Sequence, residues 1–365
     1  MASTRKVLSW CLFPLTMWYA VVVALRNLLF SLGVLRSEAP HIVTLGVGNL
    51  STGGTGKTPH AEHLLRLLGP HYRTAYLSRG YRRASKGFQL ADAQADPRLL
   101  GDEAAMVARK FPDVTVAVCE KRTEGLRRLM ALDPPPQVVV LDDVFQHRFV
   151  KPTVNILLTA FDRPYSDDLI LPFGNLREFR SARKRANMIV LTKTPENLNP
   201  IERHNRIHDL GAQSYQKVFL SSLVYGLPRA VVGDEVRPWE EVESVLLFAG
   251  VADTAPLERH VKAHCRVEMH RFADHHPYTT EELQSLVAAF HALPSERKLL
   301  LTTEKDASRL ADPALSEVLQ GVPLFCLPVE VKMHSTADFD FDQIILNTVR
   351  ENVSFLEMLG RSTLV

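Results

Sequence analysis

Residues 41–62, HIVTLGVGNLSTGGTGKTPHAE, constrain this chain more than any other stretch. Residues 42–47 form an uninterrupted apolar run, the pattern of a strand buried on both faces. A glycine-rich turn follows, and then a segment able to form a helix. Ser51, Thr52, Gly53, Gly54, Thr55, Gly56, Lys57 and Thr58 read as a loop that wraps phosphate groups. Glycines let backbone N–H groups turn inward on phosphate oxygens with no Cβ in the way. The start of the next helix adds free N–H groups and the positive end of a dipole. Lys57 has the reach for β- and γ-phosphates, and the Thr58 hydroxyl can ligate Mg²⁺. Ser51 stands where the usual loop has a glycine, so this is the variant form Gly-Gly-Xaa-Gly-Lys-Thr.

A chain of 365 residues is long enough for two domains with sizeable cores. Its 43 lysines and arginines nearly cancel 41 acidic residues, and the net charge of +2 gives no case for nucleic acid as a bulk electrostatic partner. Cys11, Cys119, Cys265 and Cys326 show no metal-ligand or redox-motif spacing, so free thiols in a reducing compartment are expected.

The N-terminus is strongly apolar over residues 7–30, with Arg5 and Lys6 before the run and Arg26 and Arg36 at its end. No small-residue cleavage site follows, which argues against a secretory signal. The run meets the minimum of about 17 residues for a bilayer span. In that case Arg5 and Lys6 would hold the N-terminus in the cytoplasm and send the nucleotide loop to the far side. A helix lying in the membrane interface fits better, with Trp10, Trp18 and Tyr19 beside arginines at headgroup level. The remaining alternative is a buried helix of a larger domain. Pro14 starts or kinks this helix.

Past the loop, residues 61–68 read as a short amphipathic helix closed by Gly69-Pro70. Residues 74–77 read as a strand running into Ser78-Arg79-Gly80-Tyr81-Arg82-Arg83, a basic loop at a strand's carboxyl end, where open α/β sheets place ligands. Its arginines suit an anionic group, though a solvated surface loop has the same composition. Asp102 stands at the N-cap of a helix over 103–110. A strand over 114–118 and a helix over 121–130 follow. Residues 138–141 are a continuous apolar run, the mark of a central parallel strand, and they deliver Asp142-Asp143 at its end. One of these carboxylates is expected to hold Mg²⁺ beside Thr58, directly or through water. Further strands are expected at 154–158 and 188–191. Strands alternating with helices give an α/β fold: a P-loop NTPase-like parallel sheet with helices on both faces. The expected organisation is an N-terminal apolar interfacial helix over 1–40, a P-loop domain over 41–222, a linker or ribbon over 223–243, and a smaller α/β C-terminal domain over 244–365 that closes over the nucleotide.

Several signatures now coincide. They are Gly48-Asn49-Leu50 through Pro59, Ser78-Arg79-Gly80-Tyr81, Gly101-Asp102-Glu103, and Leu141-Asp142-Asp143 with Phe145-Gln146-His147. Leu171-Pro172 with Gly174, Leu176-Arg177-Glu178, Asp274-His275-His276 and Thr303-Glu304-Lys305-Asp306 continue the series. In these motifs, their order and their spread over nearly the whole chain, the sequence resembles the tetraacyldisaccharide 4′-kinases of lipid A biosynthesis. Val144 stands where that family usually has a glycine, Ala104 where it has a proline, and Arg82-Arg83 where glycines are common. These departures touch loop geometry more than the reacting groups.

The resemblance implies an ATP- and Mg²⁺-dependent lipid kinase, expected to be a monomer, at the cytoplasmic face of the bacterial inner membrane. It would phosphorylate the 4′-hydroxyl of a lipid A disaccharide 1-phosphate, giving lipid IVA. The acyl chains of such a substrate stay in the bilayer, which gives the N-terminal helix a purpose. The resemblance further implies Asp102 as the base and His276 as the group paired with it, while Lys57 holds the transferring phosphates. Arg79, Tyr81, His147, Arg177 and Glu178 are candidates for the phosphates or the disaccharide. Two other classes compete. A P-loop ATPase or GTPase switch at the membrane would leave the Asp274-His275-His276 run unexplained. A non-catalytic membrane module is opposed by the intact Lys57, Thr58 and Asp142-Asp143. Thr192-Lys193 occupies the place of a base-reading motif without the aspartate that reads guanine, which favours adenine.

Overall fold

The computed structural model describes residues 2–93, 95–310, 312–334 and 340–362. In chain order the first elements are α1 (Ala2–Ser31), β1 (Val43–Asn49), α2 (Lys57–Leu68), β2 (Thr74–Ser78), β3 (Gln89–Leu90), α3 (Pro97–Leu100), α4 (Asp102–Lys110), β4 (Thr115–Val118), α5 (Arg122–Met130), β5 (Val138–Leu141), β6 (Val154–Ala160), β7 (Met188–Thr192), α6 (Pro200–Asp209) and β8 (Lys217–Tyr225). A second series follows: β9 (Arg229–Ala230), β10 (Ser244–Ala249), α7 (Ala255–Lys262), β11 (Arg266–Arg271), α8 (Thr280–Ala292), β12 (Lys298–Thr303), α9 (Glu304–Arg309), α10 (Pro313–Val318) and β13 (Leu324–Leu327). The chain closes with β14 (Val329–His334) and α11 (Phe341–Ser362).

Nine strands form one sheet in the order β14-β8-β7-β6-β1-β5-β2-β4-β3. It is parallel except at its two edges, β14 and β3. Strands β1, β2, β5 and β7 are buried along their whole length, as parallel strands with both faces covered must be. Alternate side chains serve opposite faces. Leu45, Val47, Val138 and Val140 pack with Leu64 and Leu65 of α2 and Val107 of α4. Leu77, Val139 and Leu141 pack with Leu126 and Leu129 of α5. Strand β1 lies between β5 and β6, so the order of connection reverses there and a crevice opens beyond its carboxyl end. The register Gly46↔Leu141 brings the loop after β1 and the Asp142-Asp143 pair after β5 out side by side.

The smaller sheet runs β11-β10-β12-β13-β9, with β9 antiparallel to β13. Two expected boundaries change. The linker expected over 223–243 is built into both sheets: β8 runs on to Tyr225, β9 pairs with β13, and Trp239 is buried in the smaller core. The C-terminal domain expected over 244–365 ends at β13. Beyond it, β14 pairs antiparallel with β8, and Phe341, Ile345, Val349 and Val353 of α11 join the cluster beneath α2. The large sheet needs an apolar cover on that face, and the amphipathic α11 supplies it.

Helix α1 lies against the large unit along one stripe. Thr16, Tyr19, Ala20, Val23, Arg26, Asn27 and Phe30 point inward at helical spacing. Leu15, Trp18, Val22, Leu25 and Leu28 point outward and are exposed. The segment Pro14–Ser31 has a mean hydropathy of 1.3 and only 11% of it is buried; by length and composition it could cross a membrane.

Candidate active site

The phosphate loop hangs from β1 by side-chain ties. Asn49 Nδ2 donates to Thr55 Oγ1 at 2.8 Å, and Thr192 Oγ1, at the end of β7, donates to the Thr55 carbonyl at 3.0 Å. Gly56 is left-handed, with φ +81°, at the cap position of α2, a turn that a residue with a Cβ resists. Its carbonyl meets His60 Nδ1 at 2.7 Å, and His60 Nε2 meets Ser221 Oγ of β8 at 2.8 Å. Ser51, the departure from the usual loop, bridges to Leu176, and the Thr52 N–H donates to the Asn175 carbonyl at 2.7 Å. The loop is therefore braced from outside as well as from β1.

The two aspartates after β5 divide their roles. Asp142 is buried; its Oδ2 accepts from Thr58 Oγ1 at 3.2 Å and from the Tyr76 hydroxyl at 2.8 Å. Burial, with Glu103 and Asp143 nearby, pushes its carboxyl up to about 6. Asp143 pairs with Lys57 Nζ at 3.8 Å and with Arg177 Nη1 at 3.2 Å. Burial raises its carboxyl too, but Lys57, Arg177 and Arg122 outweigh burial and hold it below the usual carboxylate range. Asp143 also takes the left-handed turn after the strand, φ +47°. Val144 thus stands free of any demand for positive φ. A Cβ on Gly46 would lie 2.7 Å from Val144 Cγ1, so the valine fills the space that glycine leaves.

Across the crevice, Asp102 opens α4, with Gly101 rather than Asp102 in the cap position. Capping was the ordinary expectation for this aspartate; its carboxylate is used elsewhere. Oδ2 accepts from Arg309 Nε at 2.7 Å and lies 3.3 Å from His275 Nδ1. Glu103, the next residue, is close enough to act on Asp142. The expected partner of Asp102, His276, is turned away: its Nε2 lies 2.9 Å from Glu282 Oε2, in the capping box of α8. The turn is made by His275 itself, left-handed at φ +59°, which sends the two neighbouring rings to different sides.

The remaining expected residues separate. Arg177 reaches the site through Asp143 and also approaches Gln146 Oε1 at 3.5 Å. Burial, with Arg122 and Arg79 nearby, lowers His147 to about 4, so its ring is neutral at ordinary pH. Arg79 is exposed at the crevice rim. Tyr81 is also exposed, its ring edge-on to His275 with centroids 5.5 Å apart. Glu178 is buried in a structural pairing: both its oxygens accept from Arg185 at 2.9 Å, and one accepts from Asn27 of α1 at 2.9 Å. Three groups escaped the sequence reading. Tyr76 appears in sequence only as one more residue of a buried strand. The buried Arg122 donates to the carbonyls of Cys119 and Asp142 at 2.7 and 3.1 Å. Arg309 lies six residues past the start of a motif whose Lys305 was quoted without a role.

A loop that holds phosphate, faced by a clamped carboxylate from a separate element, defines a P-loop phosphotransferase. The sequence comparisons make that narrower. The model of the family Tetraacyldisaccharide-1-P 4′-kinase (LpxK) matches residues 8–350, and this chain belongs to that family. It is 39% identical over 360 residues to the tetraacyldisaccharide 4′-kinase of Bacteroides fragilis, covering 96% of this chain and 95% of the relative. The kinase of the same name from Flavobacterium johnsoniae is 39% identical over 354 residues, covering 96% and 98%. The fold is similar to the crystal structure of the "apo" form of LpxK from Aquifex aeolicus in complex with ATP, with a TM-score of 0.73 and 28% identity over 94% of this chain and 99% of that one.

Proposed function

We propose that this chain transfers the γ-phosphoryl group of ATP to the 4′-hydroxyl of a tetraacyldisaccharide 1-phosphate, a lipid A precursor, giving lipid IVA. The observation that carries the reading is the opposition of Lys57, Thr58 and Asp142 on one side of the crevice to Asp102 on the other. Phosphoryl transfer asks chiefly for positioning and charge neutralisation. Lys57 is only loosely paired with Asp143, at 3.8 Å, so its ammonium is available to β- and γ-phosphates. Asp102 takes the proton of the acceptor hydroxyl, and His275 is the histidine beside it.

The site fits Mg²⁺. The Thr58 hydroxyl and the Asp142 carboxylate are adjacent hard oxygens, and Mg²⁺ commonly takes one or two such groups with phosphate oxygens and water. Bound there, it would neutralise charge on the transferring phosphate.

The outward apolar stripe of α1 is the membrane-facing side. Its inward stripe is tied to the large unit by Tyr19, whose hydroxyl donates to the Arg177 carbonyl at 2.9 Å, and by Arg26, which donates to the Gln146 carbonyl at 2.9 Å. A helix pinned along that stripe lies on the bilayer surface rather than across it. The chain works as a monomer at the cytoplasmic face of the inner membrane, since one copy supplies both sides of the crevice and ATP is cytosolic.

The test is incubation of the full chain with ATP·Mg²⁺ and lipid A disaccharide 1-phosphate in detergent. The expected result is lipid-dependent ADP release and a doubly phosphorylated lipid. Release of ADP that ignores the lipid would overturn the kinase reading in favour of a hydrolytic switch. Asp102→Asn should lower kcat on the order of 10²–10⁴-fold while leaving KM for ATP nearly unchanged.

A further inference from the structure

Helix α9 of the smaller unit presents Lys305 and Arg309 on one face, four residues apart, toward α4 of the large unit. Lys305 Nζ lies 3.0 Å from His275 Nε2. Arg309 Nε donates to Asp102 Oδ2 at 2.7 Å, while its Nη1 donates to Asp306 Oδ1 at 2.6 Å and to the Gly250 carbonyl at 3.2 Å. Asp306 is fully buried and accepts from the Gly250 N–H at 3.1 Å and from Thr303 Oγ1 at 2.7 Å, so the guanidinium is anchored before it meets Asp102. His275 Nδ1 lies 3.3 Å from both Asp102 Oδ2 and Arg309 Nη2.

Donor counting resolves this cluster. An ammonium has three donors and no acceptor, and a guanidinium has donors only. Lys305 can therefore only donate to His275 Nε2, which must keep its lone pair. In the neutral ring the proton then sits on Nδ1, facing Asp102 Oδ2, which accepts it. Arg309 Nη2 and Nδ1 both carry hydrogen in this state, so their approach is a contact and not a hydrogen bond.

We propose that Lys305 and Arg309 are positioning residues for the reaction. Lys305 selects the Nδ1–H tautomer of His275. Arg309, with that imidazole, occupies Asp102 Oδ2 and so leaves Oδ1 as the oxygen presented to the acceptor hydroxyl. Both cations belong to the smaller unit and Asp102 to the large one, so the base is oriented only when the two units are docked. This rests on the reading of Asp102 as the base.

The tautomer is read directly by ¹⁵N NMR of the full chain labelled at histidine in detergent micelles, with His275→Gln identifying the ring. The expected spectrum has a protonated Nδ1 and an unprotonated Nε2 at His275. Lys305→Met should move the proton toward Nε2 and lower kcat roughly tenfold or more, with KM for ATP within about twofold. Lys305→Arg, which keeps a donor at the end of a long side chain, should restore the Nδ1–H signal and most of kcat. Arg309→Gln should lower kcat with KM for ATP unchanged. A wild-type ring protonated at Nε2 overturns the proposal. So does a Lys305→Met protein with wild-type tautomer and turnover; Lys305 would then be only the ion-pair neighbour of Glu103 and Asp274, at 3.5 and 3.9 Å. Failure of the base reading shows separately, as normal turnover in Asp102→Asn with the His275 tautomer intact.

Discussion

Beneath the phosphate loop, His60 is 3% exposed, and burial holds its ring down to about 4. In the unfolded chain the same ring takes a proton near 6.5. The unfolded state therefore binds more protons between those values, and stability must fall as pH drops through that window. From the shift, His60 alone should cost the apoprotein about 3 kcal/mol between pH 6.5 and 4, with no further loss from it below pH 4. Urea unfolding across that range should show the slope, and His60→Gln should flatten it. His275 and His276 make a second contrast between like residues. His275→Gln should lower kcat on the order of 10²-fold, and His276→Gln should change it less than about threefold, because His276 serves the start of α8. Steady-state turnover of the two variants decides this; equal losses would return His276 to the site. The motif Asp274-His275-His276 stands out in the sequence, but which ring turns toward Asp102 does not. That choice is made by the left-handed backbone at His275, and adjacent histidines in sequence carry no sign of it. The same holds for Asp143, whose positive φ explains why a valine can follow where relatives of this chain were expected to need glycine.

Among the elements, α1 is amphipathic in reverse, with polar ties inward and apolar side chains outward. Its inward contacts converge on the loops that shape the site: Arg148 Nη1 donates to the Asn27 carbonyl at 2.9 Å, and Asn27 Nδ2 donates to Glu178. Glu178→Ala would leave the Arg185 guanidinium half-buried beside a lost partner and should destabilise the fold by about 3 kcal/mol, with little change in KM for ATP. Thermal unfolding and ATP kinetics on one preparation separate this from a substrate role, which would raise KM for the lipid and leave the melting temperature in place. The strands were legible where burial on both faces writes a continuous apolar run: β5 has the expected bounds, and β2 and β7 differ from expectation by one residue each. Edge strands were not. Val329–His334 alternates weakly and is defined by its partner β8, about a hundred residues earlier, a non-local pairing that no window of sequence displays.

At the scale of the whole molecule, the two units meet around charged side chains. Lys110 of α4 lies 2.8 Å from Glu62 of α2 and 2.8 Å from Glu304 of α9, and Arg109 donates to the Ser308 carbonyl at 3.1 Å. The Arg82 guanidinium reaches the His275 carbonyl at 3.3 Å. The larger unit is complete only with its last helix. A chain ending before Phe341 keeps every candidate site residue, yet it uncovers the cluster that Ile345 and Val349 share with Leu64 and Leu65. Such a truncation should be poorly soluble and lack a cooperative melt; a soluble, cooperative protein that still binds nucleotide would contradict the packing described above. The smaller unit is thus an insertion between β8 and β14, two strands that lie side by side. During synthesis the ribosome must release the phosphate loop early and the helix that covers its supporting face last, about 280 residues later by the sequence numbering. The nascent large unit therefore stays open on one side until the inserted unit has been made and α11 follows it. A nucleotide site resting on that sheet is correspondingly completed only after α11 has been made.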